Sequence, residues 1–186
     1  MSQVNSPAAV TTADDYRRMP EGPPWYQLIQ GTLYMSPSPN RFHQQVVGNI
    51  YYALRNYLAD HPLGEVYVAP LDVYLTDTDV YQPDVAFVRR ENSRVLVYEG
   101  FVGAPDLIVE VLSPSNSKLD LGPKRAVYAR FGVKEMWVAD PVKSTLSVYR
   151  FSEDAEKPAA TAAVGDIVST TLIPGFSLGV ADVFRQ

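Results

Sequence analysis

Residues 106–112 read Asp-Leu-Ile-Val-Glu-Val-Leu. The run Leu107-Ile108-Val109, resumed at Val111-Leu112, is almost continuously apolar. That is the pattern of a strand covered on both faces rather than one wet side. Such a strand needs a layer above and a layer below it. Glu110 interrupts the run. An unpaired buried carboxylate is costly, so this glutamate must be neutral, ion-paired or bound to a metal.

Reading outward, residues 83–88 (Pro83 to Val88), 71–75 and 65–69 alternate as further strands, with a turn at Asp77-Thr78-Asp79. Before them, Val46, Val47, Ile50, Tyr51, Leu54, Tyr57 and Leu58 recur at helical spacing, which predicts a helix over 41–59 stopped by His61-Pro62-Leu63-Gly64. Earlier still, residues 25–30 and 33–36 read as a hairpin about Gly31. Thr11 to Tyr16 reads as a short capped helix with acids in its first turn, ended by Glu21-Gly22-Pro23-Pro24. Residues 1–10 are small and polar and predict a mobile segment.

After the decisive strand, residues 113–117 form a serine-rich loop. A helix is predicted over 120–131, with Asp120 as N-cap and Gly132 as its C-terminal stop. Strands follow at 135–139 and 145–151 about Asp140-Pro141. Residues 152–158 read as a loop, and short strands as falling near 166–171 and 177–180. The order predicts a single α/β (α+β) domain over 11–186, with a mixed central β-sheet flanked by helices.

Composition narrows the chemistry. The chain has 186 residues, is 46% hydrophobic and 20% charged, and contains no cysteine and 2 histidines, His43 and His61. Disulfides, thiolate zinc sites and cysteine nucleophiles are thereby excluded. A metal would be held mainly by carboxylates, which favours magnesium or manganese. No run of about 18 apolar residues is present, which predicts no membrane span. The first 24 residues lack the pattern of a signal peptide, which points to the cytoplasm. The net charge is −5, yet residues 85–135 carry 8 basic and 6 acidic residues, a locally basic segment in an acidic chain.

Three residues suggest a site. Glu110 by itself could equally be a strand-end glutamate reaching an arginine. Asp84, opening the strand at 83–88, could be a turn residue. Two neighbouring strands each presenting an acid at one sheet edge would make a two-carboxylate site for a hard cation. Lys124 falls with Leu121, Tyr128 and Phe131 on one face of the predicted helix, which makes that face the buried one. Either Lys124 covers apolar surface with its stem, or it aims back at the carboxylates. An aspartate, a glutamate and a lysine suit metal-assisted phosphodiester hydrolysis. No glycine-rich phosphate loop is present, and no serine has a histidine partner that the sequence can place.

A resemblance follows from the motifs in order. These are Gln82-Pro83-Asp84-Val85, then Gly103-Ala104-Pro105-Asp106 through Glu110-Val111-Leu112-Ser113-Pro114-Ser115, then Asp120-Leu121-Gly122-Pro123-Lys124 through Tyr128 and Gly132 to Asp140-Pro141. Together with residues 25–35, His43-Gln44 and 69–73, they closely resemble the Uma2 family of restriction-endonuclease-like proteins, in the PD-(D/E)xK superfamily. The resemblance implies a DNA endonuclease dependent on Mg2+ or Mn2+, acting as a homodimer. It implies Asp84 and Glu110 as metal ligands and catalytic residues. The superfamily pattern places a lysine two residues after the glutamate, where this chain has Leu112. The family arrangement moves it to the next helix, at Lys124. His43 matches a family histidine and Gln27 a family glutamate, both as auxiliary residues.

The chain departs from its relatives at Tyr26-Gln27-Leu28-Ile29-Gln30-Gly31-Thr32-Leu33, where they read Tyr-Glu-Leu-Ile-Asp-Gly-Glu-Leu. Three acids are neutral here. The departure supports an alternative, a catalytically weakened or inactive nucleic-acid-binding or scaffold protein of the same fold. A third reading, a carboxylate-pair hydrolase acting on sugars through Asp84 and Glu110, leaves Lys124 without a role.

Overall fold

The computed structural model describes residues 2–3, 12–20, 22–36, 38–113 and 117–186. Most of the mobile segment expected at 1–10 lies outside the described residues, as do Thr11, Glu21 and residues 114–116 of the serine loop. In chain order the elements begin β1 (Ser2–Gln3), α1 (Ala13–Arg17), β2 (Tyr26–Ile29), β3 (Thr32–Met35) and α2 (Arg41–Asp60). Next come β4 (Gly64–Val68), β5 (Asp72–Thr76), β6 (Asp79–Tyr81), β7 (Val85–Arg89), β8 (Leu96–Val97), β9 (Gly100–Val102) and β10 (Leu107–Val111). A short α3 (Ser117–Leu119) and a wide turn at Asp120–Lys124 lead into α4 (Arg125–Phe131). The chain continues through β11 (Glu135–Asp140), β12 (Thr145–Arg150), β13 (Ala160–Ala163), β14 (Ile167–Ser169), β15 (Ser177–Gly179) and α5 (Val180–Val183).

β10 lies inside a mixed sheet ordered β13-β12-β11-β10-β7-β4. It runs parallel to β11 and antiparallel to β7. Both faces are covered, as its apolar run requires. Val85, Phe87, Leu107, Val109, Val111 and Trp137 face the apolar side of α2, whose Val46, Val47, Ile50 and Leu54 are buried. Ala86, Val88, Ile108, Met136 and Val138 form the opposite face and pack with Val127 and Tyr128 of α4. The strand period of two thus divides one run between two cores.

Local signals explain the element ends. The Asn40 side chain caps α2 by accepting the His43 N–H at 2.8 Å. Thr12 caps α1. The β2–β3 hairpin turns through Gln30 and Gly31, both at positive φ. Gly132 ends α4 in the left-handed region at φ 105°.

The sequence predicts one central sheet, and the structure adds to it. Among the described residues a second sheet is ordered β1-β3-β2-β6-β5-β9-β8, and β14 pairs with β15. β6 falls where a turn is expected. Asp79 does serve the turn, accepting from the Thr76 hydroxyl and the Gln30 N–H, but it also begins three buried residues. β13 is Ala160-Thr161-Ala162-Ala163, an edge strand with little strand propensity to reveal it.

Asp106 fastens the far end of the β7–β10 pair. Its buried carboxylate accepts from the Arg89 N–H and Nε, from Asn92 Nδ2 and from Lys134 Nζ, at 2.6–3.1 Å. Asp106→Ala removes all of these charge-assisted bonds. We expect a loss of about 3 kcal/mol in urea unfolding, with the β-sheet circular dichroism of the folded protein unchanged.

Candidate functional site

Glu110 is on β10, on the face that packs against α4. The antiparallel register pairs Val109 with Val85, and so carries Asp84 opposite Glu110 just before β7 begins. Opposed residues share a face. Asp84 is held there by its own partner strand, since its Oδ2 accepts the Val111 N–H at 2.7 Å. The two acids expected at one sheet edge are therefore neighbours across one strand pair.

Lys124 comes from the turn that follows. Its ammonium is 1% exposed, lies 2.6 Å from Glu110 Oε1, and donates to Asp120 Oδ1 at 2.9 Å. Tyr128, one turn further on, donates its hydroxyl to Glu110 Oε1 at 2.8 Å. The Tyr81 ring lies 5.8 Å from the ammonium. Lys124 does not cover surface with its stem; it is a buried cation between two buried carboxylates.

Two details correct the sequence reading. Asp120 is not an N-cap but a fully buried residue in a wide turn, where Gly122 leaves helical geometry and Pro123 offers no N–H. The buried stripe is Asp120, Lys124, Val127 and Tyr128, while Leu121 and Phe131 are exposed. Of the predicted companions Tyr128 stays beside Lys124; Leu121, just before the Gly122-Pro123 break, and Phe131, in the last turn of α4, face outward. Asp120 is the site residue that the sequence reading missed. Its signal was the i, i+4 spacing to Lys124.

His43 sits in the first turn of α2 and is buried. Its Nε2 meets the Val111 carbonyl at 2.9 Å and Asp84 Oδ2 at 3.5 Å. A carbonyl can only accept, so Nε2 carries a proton and bridges α2 to the Asp84 end of the sheet. Gln27, also buried, accepts the Gln82 N–H at 3.1 Å and donates to Ser36 Oγ at 3.2 Å. Its amide braces the strand leading to Asp84. Gln30 is exposed in the hairpin turn. Leu112 packs with the apolar core on the α4 side.

The electrostatics follow from sharing. Burial pushes the Glu110 carboxyl up to about 8, against the pull of the Lys124 ammonium, with Asp120 and Asp84 adding to the rise. Burial likewise raises Asp120, against the same cation. Burial disfavours charge on Lys124, but Asp120 and Glu110 outweigh it and hold the lysine above its usual value. One ammonium shared by two buried carboxylates keeps its proton but cannot compensate both acids, so Glu110 takes up a proton more readily than a free glutamate. For His43, burial disfavours the charged form, yet the bond to Asp84 prevails and its pKa rises.

Carboxylate oxygens that are short of positive partners suit a hard cation, which would replace the proton on Glu110. Among the described residues no three His, Cys, Asp or Glu side chains close into a metal cage. Two carboxylates fit magnesium, which retains several waters and leans on one or two protein carboxylates plus substrate oxygens. Asp84 and Glu110 are the residues that could hold it.

Comparison with known proteins bears on the family and the fold. The model of a family described as "Uma2: Putative restriction endonuclease" matches residues 13–181. A crystal structure from Anabaena variabilis, described as "a putative nuclease belonging to DUF820", superposes with a TM-score of 0.77 at 21% identity. The match covers 93% of this chain and 97% of that one, and shows the shared fold. No curated protein matches the chain. Among the described residues no helix is long and apolar enough to cross a membrane.

The burial of Lys124 has a measurable consequence. Lys124→Met leaves Glu110 and Asp120 without their cation and is expected to cost about 3 kcal/mol in thermal or urea unfolding. Lys118→Met, on the exposed side of the same segment, is expected to stay within about 0.5 kcal/mol of wild type.

Proposed function

The chain belongs to the Uma2 family, and from that premise we propose that it is a DNA endonuclease dependent on Mg2+ or Mn2+, with Asp84, Glu110 and Lys124 as its catalytic residues. One observation carries the reading: Lys124 reaches Glu110 at 2.6 Å while the β7–β10 register sets Asp84 opposite the same glutamate. Two acids and an ammonium thus come together from two paired strands and the helical turn packed on them.

A bound magnesium or manganese ion supplies a water of lowered pKa and neutralises charge on a phosphodiester. The chain's own residues do the rest. Asp84 is pre-positioned by the Val111 N–H and by His43, so its carboxylate does not have to be ordered when substrate arrives. Glu110 offers the second carboxylate, braced by the Tyr128 hydroxyl. Lys124 brings a compact positive charge for the attacking water or for charge developing on the phosphate. His43 and Gln27 act as braces in this reading. His43 fixes Asp84, and Gln27 fixes the Gln82 backbone two residues before it.

The neutral residues at 27, 30 and 32 do not by themselves argue for an inactive scaffold. Gln27 has a hydrogen-bonding task that its amide fulfils, and Gln30 lies on the surface of a turn. We read residues 11–186 as one restriction-endonuclease-like domain. A homodimer in the cytoplasm, one protomer for each DNA strand, is the setting this function calls for.

The test is cleavage of supercoiled plasmid by the purified protein. Nicked and linear DNA should form with Mg2+ or Mn2+ and not with EDTA. Asp84→Ala and Glu110→Ala should each lower the rate by about 10²-fold or more. Intact plasmid under all metal conditions, or variants as active as wild type, would make the inactive scaffold the better reading.

A further inference from the structure

Asp120 has a buried oxygen that does nothing in the arrangement described so far. The residue is 0% exposed. Its Oδ1 accepts from Lys124, but its Oδ2 has no hydrogen-bond partner among the described residues. A buried, unpaired carboxylate oxygen is costly to keep. Lys124 carries three N–H donors, and Glu110 and Asp120 occupy two directions around it. A carboxylate with a spare acceptor therefore stands beside an ammonium whose other partner is wanted elsewhere.

Glu110 cannot serve two cations equally well. In the nuclease reading it turns to a divalent ion, and Lys124 then loses the closer of its two partners. An ammonium at 1% exposure, left alone, would be expelled from the site or would lose its proton. We propose that Asp120 is the positioning residue that retains Lys124 when Glu110 is given up, its idle Oδ2 taking the N–H that Glu110 releases. The i, i+4 placement and the wide turn at Gly122-Pro123 keep the pair together on one element, so nothing in the backbone has to move. Asp120 touches neither substrate nor reacting atoms in this role. It acts through Lys124.

The inference rests on the metal-dependent reading of the site, but its first test needs no metal. Glu110→Gln imitates a glutamate that no longer offers charge to the lysine. In 15N-lysine NMR of the metal-free protein, the Lys124 Nζ resonance should remain in slow exchange in Glu110→Gln. It should be lost in Glu110→Gln combined with Asp120→Asn. Its loss in Glu110→Gln alone would overturn the proposal.

Manganese calorimetry supplies a second arm for a Glu110 variant that does not fold. With Asp120→Asn, Lys124 has Glu110 as its remaining carboxylate and competes harder for it. Mn2+ affinity should fall by about 10-fold, and Asp120→Glu should recover most of the loss. In a Lys124→Met background, Asp120→Asn should change affinity by less than about 3-fold, because no lysine remains to be held. Undiminished affinity in Asp120→Asn overturns the proposal. So does an equal loss in the Lys124→Met background, which would make Asp120 a ligand instead. Wild-type protein that takes up no Mn2+ refutes the metal-dependent reading, whereas loss of the Lys124 resonance in Glu110→Gln refutes the retention role.

Discussion

One ammonium held between two buried carboxylates is the constraint around which the site is built. Glu110, Lys124 and Asp120 are each almost wholly shielded from water. None of the three could stay charged there alone. Their mutual distances of 2.6 and 2.9 Å join β10 to the turn before α4 more specifically than apolar packing could. Apolar side chains tolerate small slides, but a buried ion pair does not. The pairing thus fixes which turn of the helical segment faces Glu110, and with it the position of Tyr128.

The sheet performs the matching task for Asp84. An antiparallel register is indivisible: if β7 slipped by one residue, Asp84 would move to the other face and Phe87 would leave the α2 core. The same slip would disengage Asp106 from Arg89 at the far end. Hydrophobic burial at Val85 and Phe87 and charge pairing at Asp106 together hold Asp84 where the Val111 N–H and His43 can reach it. Core packing and site geometry are one specification, written on alternate residues of the same strands.

How much of this can be read from the chain depends on whether a signal is local. The β10 strand is plain because seven consecutive residues carry it, and Glu110 stands out because it contradicts its neighbours. Helix α2 is equally local, carried by the spacing of its own apolar residues. Lys124 can be assigned to a buried face, but the identity of that face cannot be read off. Helical spacing puts Asp120, Leu121, Tyr128 and Phe131 all within reach of that face, and tertiary packing buries Asp120 and Tyr128 while Leu121 and Phe131 stay exposed. An aspartate ahead of an apolar helical run has the form of an N-cap, and tertiary burial overrides that form here. The strands at 79–81, 96–97 and 100–102 are three residues or fewer, defined by long-range pairing more than by composition. The role of Gln27 is hidden for the same reason, since its partner Gln82 lies 55 residues away.

The charge distribution takes on a different meaning once the pairs are known. The basic segment at 85–135 contains eight cations, but several of them serve the fold. Lys124 is buried, and Arg89 and Lys134 hold Asp106. Arg125 bonds the carbonyls of Leu121 and Ala155. Arg90, Arg94, Lys118 and Arg130 are exposed and remain available to a phosphate backbone. Counterion release scales with the number of phosphates neutralised, at a slope of about 0.9 per contact on duplex DNA. With these four exposed cations in this segment, on a chain of net charge −5, long-range attraction for a polyanion would be weak. On the endonuclease reading proposed above, binding would lean on the site itself, where a divalent ion held by Asp84 and Glu110 would offset their negative charge.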